Sequence, residues 1–402
     1  MHTLSVRDSQ SNRAPLLVLY LTMFLVVSGF GIIIPFFPFF AKEMGANAFE
    51  LGLMITLFSL AQVVAAPVWG RLSDWVGRKP VLIAGLIGYA LSYFLMIWSP
   101  NLPVLMIARI LGGLLSASAF PSAQAYLVDL TSSEERGFAI GYMAAASNLG
   151  FLLGPALGSV LAVFGIRVAF AIGGALILVT AGLGAILLPT VRVSPQQSKE
   201  PIQRDHHAIW LAMLGRESVL LWVTMLISFG STTMYGILGY YMIEKFNALA
   251  IHTAIVYTLI GGVSAVLQAF IIGRAMKWLG EDTLVIISLL LGVAGFAGLV
   301  FSPNLTILYI WVTIIGASMA LSRPTILVAL SRRTRLGQGL TMGLQGSFDS
   351  FGRVIGPLWA GWIFSLAISA PFWSSAVIFT LAAGLHLTQS FWVKKTASIT
   401  DP

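Results

Sequence analysis

Apolar runs of about 20 residues, each long enough to cross a ~30 Å hydrocarbon core as a helix, follow one another along the whole chain. That repetition limits the fold more than any other feature. Only 9% of the 402 residues are charged while 57% are hydrophobic, and the mean hydropathy is +0.90. A soluble chain carries about 25% charged residues. Segments of alternating polarity do not recur, which excludes an outer-membrane barrel. The expected fold class is therefore an all-α membrane protein with twelve transmembrane helices in two six-helix bundles. The predicted spans are 15–41, 49–70, 80–99, 103–126, 137–162, 166–189, 217–243, 251–273, 283–302, 304–330, 339–365 and 371–393. The run after the short polar N-terminus is too long for a signal-peptide core, so it is expected to be kept as the first span. Residues 190–216 form the one long polar stretch and divide the chain into residues 1–189, a linker loop and residues 217–402.

The net charge of +8 follows from the way the cations are distributed. Most of the 23 Lys and Arg fall at the termini and in the loops after even-numbered spans. Lys42, Arg167 and Lys245 alone lie in loops on the other side. By the positive-inside rule both termini are cytoplasmic. The bias accounts for the basic charge without a nucleic-acid partner, and no soluble domain carries a basic patch. The chain has no cysteine, which removes thiol chemistry, disulfides and cysteine-ligated metals. No nucleotide-binding loop, His/Cys metal set or nucleophile elbow appears, so enzymatic activity and bound cofactors are not expected.

The two halves repeat one another. Gly70, Arg71, Trp75 and Gly77 recur 203 residues later as Gly273, Arg274, Trp278 and Gly280. Ser99-Pro100-Asn101-Leu102 recurs at the same offset as Ser302-Pro303-Asn304-Leu305, and Pro121 as Pro324. Gly150, Gly154 and Pro155 match Gly352, Gly356 and Pro357 at an offset of 202. Ordered matches at a nearly constant offset indicate duplication of a six-span unit. An even number of spans gives the two copies one orientation, the arrangement of transporters with a central site and alternating access.

The loop after span 2 reads Gly70-Arg71-Leu72-Ser73-Asp74-Trp75-Val76-Gly77-Arg78-Lys79-Pro80. It resembles the signature loop of the major facilitator superfamily, G-x-L-[SA]-D-x-x-G-R-[RK], with Trp75 where a basic residue is usual. In span 5, Gly150, Gly154, Pro155 and Gly158 resemble the superfamily's antiporter motif, with Ser159 in place of its last glycine. Arg109 before Gly112-Gly113 in span 4 is similar to the family's R-x-x-x-G pattern. The likeness is to twelve-span bacterial drug/proton antiporters. It implies a conformational latch of Gly70, Asp74, Gly77, Arg78 and Asp129, with Asp74 capping span 11 near Gly337-Gln338-Gly339. It also implies a proton-coupling role for Arg109, although a buried arginine serves equally as a hydrogen-bond anchor.

Thirteen of the 15 acids sit in loops, at termini or at span ends, leaving Asp129 in the latch and Asp349 about ten residues into span 11. Arg353 follows one turn later on the same helix face. Two readings stand side by side: Asp349 pairs permanently with Arg353, or it exchanges a proton with the cavity. Spans 1 and 10 carry no acid, unlike many related pumps. Arg323 and Arg353 against one acid suggest tolerance of anionic or zwitterionic cargo. Tyr235, Asn148, Gln345 and Gln62 are further cavity candidates, and Phe36 and Met234 are apolar ones.

The function expected is secondary export of drugs or other amphipathic small molecules, driven by the proton gradient, by a monomer in the bacterial inner membrane with lipid around it. A dedicated exporter of a metabolite or siderophore is the main alternative, and a proton-coupled nutrient importer the lesser one.

Overall fold

The computed structural model describes residues 13–132, 134–162, 164–189, 218–333 and 338–400. The expected linker 190–216, Ser133, Glu217 and Gly337 lie outside the described residues. Among those described there is no strand. The helices are α1 (Arg13–Ile33), α2 (Phe37–Glu43), α3 (Ala48–Val76), α4 (Arg78–Ile97), α5 (Leu102–Ser116), α6 (Ala119–Leu130), α7 (Arg136–Ala162), α8 (Ile166–Leu187), α9 (Ser218–Phe246), α10 (Ala250–Val266), α11 (Ile272–Leu279), α12 (Glu281–Val300), α13 (Leu305–Arg333), α14 (Gln338–Phe364) and α15 (Ala370–Thr400).

Local chemistry explains where several spans depart from single straight helices. The first span turns at residues 34–36, around Pro35, and resumes as α2. The fourth breaks at Ala117 and Ser118, four and three residues before Pro121. Proline lacks the N–H for that turn, and its ring crowds the carbonyl four residues back. A π-turn, Leu267–Ile271, joins α10 to α11 inside the eighth span. Among the described residues, eleven spans are long and apolar enough to cross a membrane by length and composition alone. The twelfth is α14, 27 residues long, whose apolar character is diluted by Gln345, Asp349, Ser350 and Arg353.

Helix ends follow the duplicated sequence. Asn101 starts α5 by accepting a hydrogen bond from the Val104 amide at 3.1 Å. Asn304, its counterpart in the second half, accepts one from the Ile307 amide at 3.0 Å ahead of α13. Both are N-caps that satisfy an otherwise free amide. Gly77 and Gly280 precede α4 and α12 with φ of 106° and 76°, a region that costs glycine little.

The chain divides into two compact units, Met1–Phe40 with Leu57–Pro201, and Ala41–Thr56 with Ile202–Pro402. In the first unit α1 packs along α7 and α8, and α4 along α5 and α8. In the second, α9 packs along α14 and α15, α12 along α13 and α15, and α10 along α13. Residues 41–56 join the second unit through a Lys42–Glu244 ion pair of 2.5 Å and a Tyr240 hydroxyl donating to the Ala46 carbonyl. Outward-facing apolar side chains such as Ile186, 80% exposed, suit a lipid surround.

Close helix contacts run through small-residue positions. A Cβ on Gly154 would lie 2.7 Å from the Ser28 carbonyl oxygen and 2.8 Å from the Gly31 Cα. On Gly150 it would lie 2.5 Å from the Phe24 oxygen, and on Gly158 2.7 Å from the Ile32 oxygen. The motif thus works as the α1–α7 seam, and Pro155 packs against Gly31 within it. The second unit repeats the device. A Cβ on Gly352 would lie 2.5 Å from the Met225 oxygen, and one on Gly356 would lie 2.6 Å from the Phe229 oxygen. Apolar burial drives no association between helices in lipid, so close backbone packing carries the contact.

Two substitutions on one helix separate this packing role from helix propensity. Gly154→Ala should destabilise the purified protein by about 1–3 kcal/mol, the usual range for overpacking. Gly141→Ala, with open space around its Cβ position, should be neutral or stabilising by about 0.5–1 kcal/mol. Thermal melts in detergent compare them, and equal melting points would remove the seam.

Candidate transport site

Three helices of the second unit bring an unusual set of charges together. On α9, Ser228, Thr232 and Tyr235 are spaced by four and three residues and share a face. On α13, Met319 and Arg323 lie one turn apart just before Pro324. On α14, Asp349 and Arg353 do the same, ~17 Å from the start of that helix at 1.5 Å per residue. That depth puts the carboxylate far from either helix end.

Asp349 is the hub. Its Oδ2 lies 3.1 Å from Arg353 Nε, and its Oδ1 lies 3.5 Å from Arg323 Nη2. The Ser228 hydroxyl donates to Oδ1 and accepts from Arg323 Nη2 at 3.3 Å. Arg353 also donates to the Ser350 hydroxyl at 3.3 Å. The carboxylate is mostly buried, 16% exposed, while the two arginine side chains are 46% and 49% exposed. One acid therefore holds two cations, with the cations on the open side. Arg323, expected only as a cavity residue, is as much a partner of Asp349 as Arg353 is. Sequence spacing finds the i, i+4 pair but not a partner 26 residues away on another helix.

An aromatic pair adjoins this cluster, with Tyr235 half-buried and Tyr257 fully buried behind it. Tyr235 stacks on Tyr257 with centroids 5.6 Å apart and 18° between planes. Its hydroxyl donates to the Met319 thioether at 3.4 Å. Phe348 packs edge-on against Trp222 at 5.1 Å. Ser228, Tyr257 and Met319 are absent from the sequence expectations. The signal available for them was the small-polar run Ser228, Ser231, Thr232 and Thr233 in an otherwise apolar span.

The other candidates are scattered. Gln62 donates to the Ser116 hydroxyl at 3.1 Å, tying α3 to α5 inside the first unit. Asn148 is exposed on α7, and Gln345 is half-buried one turn before Asp349. Phe36 and Met234 are fully buried in helix packing, so neither lines an open surface.

Arg109 in the first unit lies between the rings of Phe37 and Phe58, 4.6 and 4.2 Å from their centroids. No carboxylate lies within ion-pair distance of it among the described residues, and its Nε has no hydrogen-bond partner there. Stacked rings supply the negative faces that a guanidinium needs in such a place. Tyr93 donates to the Tyr89 hydroxyl at 3.0 Å close by. At Nε the guanidinium thus meets ring faces and no hydrogen-bond acceptor.

The signature loop closes on itself. Arg78 lies 2.5 Å from Asp74 and 3.2 Å from Asp129, and it donates to the Ser73 hydroxyl at 3.3 Å. Gly77 supplies the positive-φ turn between them, and Gly70 sits in open space. Asp74 spends its charge on Arg78 one turn away; its expected helix partner begins at Gly337, outside the described residues. A pocket of ≈ 420 Å³, open on one side, lies beside Arg78 and Asp129 and is lined also by Pro121, Gln124, Val128 and Ile140.

Comparison with known proteins agrees with these features. The profile of the Major Facilitator Superfamily matches residues 19–337 and again 220–397. The quinolone resistance protein NorA of Staphylococcus aureus (strain COL) is 32% identical over 359 residues, 88% of this chain and 91% of NorA. Multidrug resistance protein 1 of Bacillus subtilis (strain 168) is 30% identical over 376 residues, 93% of this chain and 95% of that protein. The crystal structure of a bacterial homologue of the human lysosomal transporter Spinster superposes with a TM-score of 0.76. It covers 95% of this chain and 98% of the other at 14% identity, a likeness of fold alone. With eleven candidate membrane spans among the described residues and α14 beside them, a duplicated unit, the signature loop and these relatives, the chain belongs to the major facilitator superfamily, in its multidrug efflux branch.

Proposed function

We propose that the protein exports amphipathic small molecules in exchange for protons, with Asp349 as the group that links the two movements. One observation carries this reading: among the described residues, Asp349 is the single carboxylate deep within a span, and it holds two arginines. A proton on it removes the charge that both guanidiniums need. That change alters the relative energy of any two conformations differing in the Arg323 contact. The names of the relatives, quinolone resistance and multidrug resistance, support export as the direction. So does the likeness of the α7 glycine string to the antiporter motif. Arg109 holds its place by ring stacking and is the weaker coupling candidate.

In this reading the monomer lies in the bacterial cytoplasmic membrane with both termini on the cytoplasmic side, which the Lys/Arg distribution supports. The Asp74–Arg78–Asp129 cluster is then at the cytoplasmic ends of α3, α4 and α6, where it latches the unit during the transport cycle. No cofactor is needed beyond the proton gradient.

Inverted membrane vesicles with an acidified lumen give the direct measurement. Wild-type protein should accumulate a drug substrate in proportion to the gradient, and Asp349→Asn should lose at least tenfold of that dependence. Gradient-driven uptake unchanged in the variant removes Asp349 from coupling. If no drug moves while one cellular product builds up inside a deletion strain, the dedicated exporter is the better reading.

The latch makes a separate claim. Arg78→Ala leaves Asp74 and Asp129 facing each other without a cation. Turnover should fall tenfold or more while equilibrium binding of substrate changes less than twofold. Equal losses in both would make the cluster a folding element and not a switch.

A further inference from the structure

Resting on the export reading, we propose that the cargo is an amphipathic organic anion whose carboxylate takes the place of Asp349 between Arg323 and Arg353. The charges point that way. A cation entering the cluster would meet two guanidiniums already within 3.5 Å of the cluster's acid, Asp349. An anion meets two half-exposed guanidiniums whose present partner is the more deeply buried group. Guanidinium forks match carboxylates in shape, so a cargo carboxylate reproduces the bonds that Asp349 makes now. Asp349 serves as an internal stand-in for the cargo, keeping the arginines paired while the site is empty. The Ser228 hydroxyl, which touches both Asp349 and Arg323, can follow either carboxylate.

The body of the cargo meets the half-buried ring of Tyr235, behind which Tyr257 and Met319 are packed inside the bundle. Met319 precedes Arg323 by one helical turn and touches Tyr235, which is stacked on Tyr257. A flat apolar group joined to a carboxylate by a short linker spans that distance, about 5–6 Å between positions one turn apart. Arg109 adds an independent sign in the first unit, a guanidinium with rings and no carboxylate around it. Among the described residues, the charged side chains deep within spans therefore comprise three arginines and one acid. The membrane potential, negative inside, itself pushes an anion outward, so the charge agrees with the direction of transport.

A matched set of probes tests the class: pyrenebutyrate, its neutral amide, and pyrenylbutyl-trimethylammonium. Each is titrated against purified full-length protein by fluorescence, and each is followed into inverted vesicles. The carboxylate should bind at least tenfold more tightly than the other two and should be the one accumulated. Arg323→Gln and Arg353→Gln should each remove most of that preference and leave amide binding within twofold. Unchanged amide binding guards against misfolding as the cause. Asp349→Asn carries the sharpest expectation: removing the internal competitor should tighten carboxylate binding about tenfold without affecting the amide. A purely structural ion pair predicts weaker binding of everything. Accumulation of the ammonium probe in preference to the carboxylate overturns the anion class while leaving export intact. Accumulation of none of the three overturns export and the anion class together.

Discussion

Each unit depends on helix backbones approaching more closely than side chains normally allow. In lipid, apolar burial gives no net pull between helices, so contact area and fit must supply it. The α7 glycines bring their backbone onto α1, and Gly352 and Gly356 bring α14 onto α9. The second seam also fixes the chemistry. Arg353 follows Gly352 directly, and Asp349 lies one turn before it. Seating the glycines on Met225 and Phe229 therefore delivers Asp349 to Ser228. Packing and charge placement are set by the same few residues.

The two halves have used one ancestral frame differently. Their caps and turns remain alike, as Asn101 with Asn304 and Gly77 with Gly280 show. Their ionisable groups do not. The first half keeps a charged loop in which Arg78 is held by two acids. At the matching loop of the second half Lys277 replaces Asp74, and helix-end pairing moves to Glu281–Arg332 at 2.7 Å and Asp282–Arg333 at 2.8 Å. Deep in the span, the first half has an arginine among rings and the second an arginine–acid–arginine set. Turn chemistry is dictated by backbone geometry and so persists; the buried charges are under no such backbone constraint and differ between the halves.

The fold was largely legible in the sequence because a bilayer filters so strictly: runs of about 20 apolar residues allow few alternatives. The breaks near Pro35 and Pro121 blurred only the interior of two spans. α14 was legible from its length and its place in the repeat, although its polar residues weaken the apolar signal. The site was half legible. Asp349 and Arg353 stand out as charges one turn apart on one helix. Ser228 and Arg323 belong to the same cluster only because α9, α13 and α14 meet, and no local spacing encodes that meeting. Arg109 shows the converse, since its position was evident but the rings that hold it come from two other helices.

Asp349 has two partners with different mechanical standing. Arg353 shares its helix, so the 3.1 Å contact survives any rigid movement of α14. Arg323 stands on α13, so the 3.5 Å contact lengthens or shortens whenever α13 slides or tilts against α14. The carboxylate is tethered on one side and free to sense displacement on the other. A shift of an ångström or two between these helices converts directly into a change in how much positive charge the acid feels.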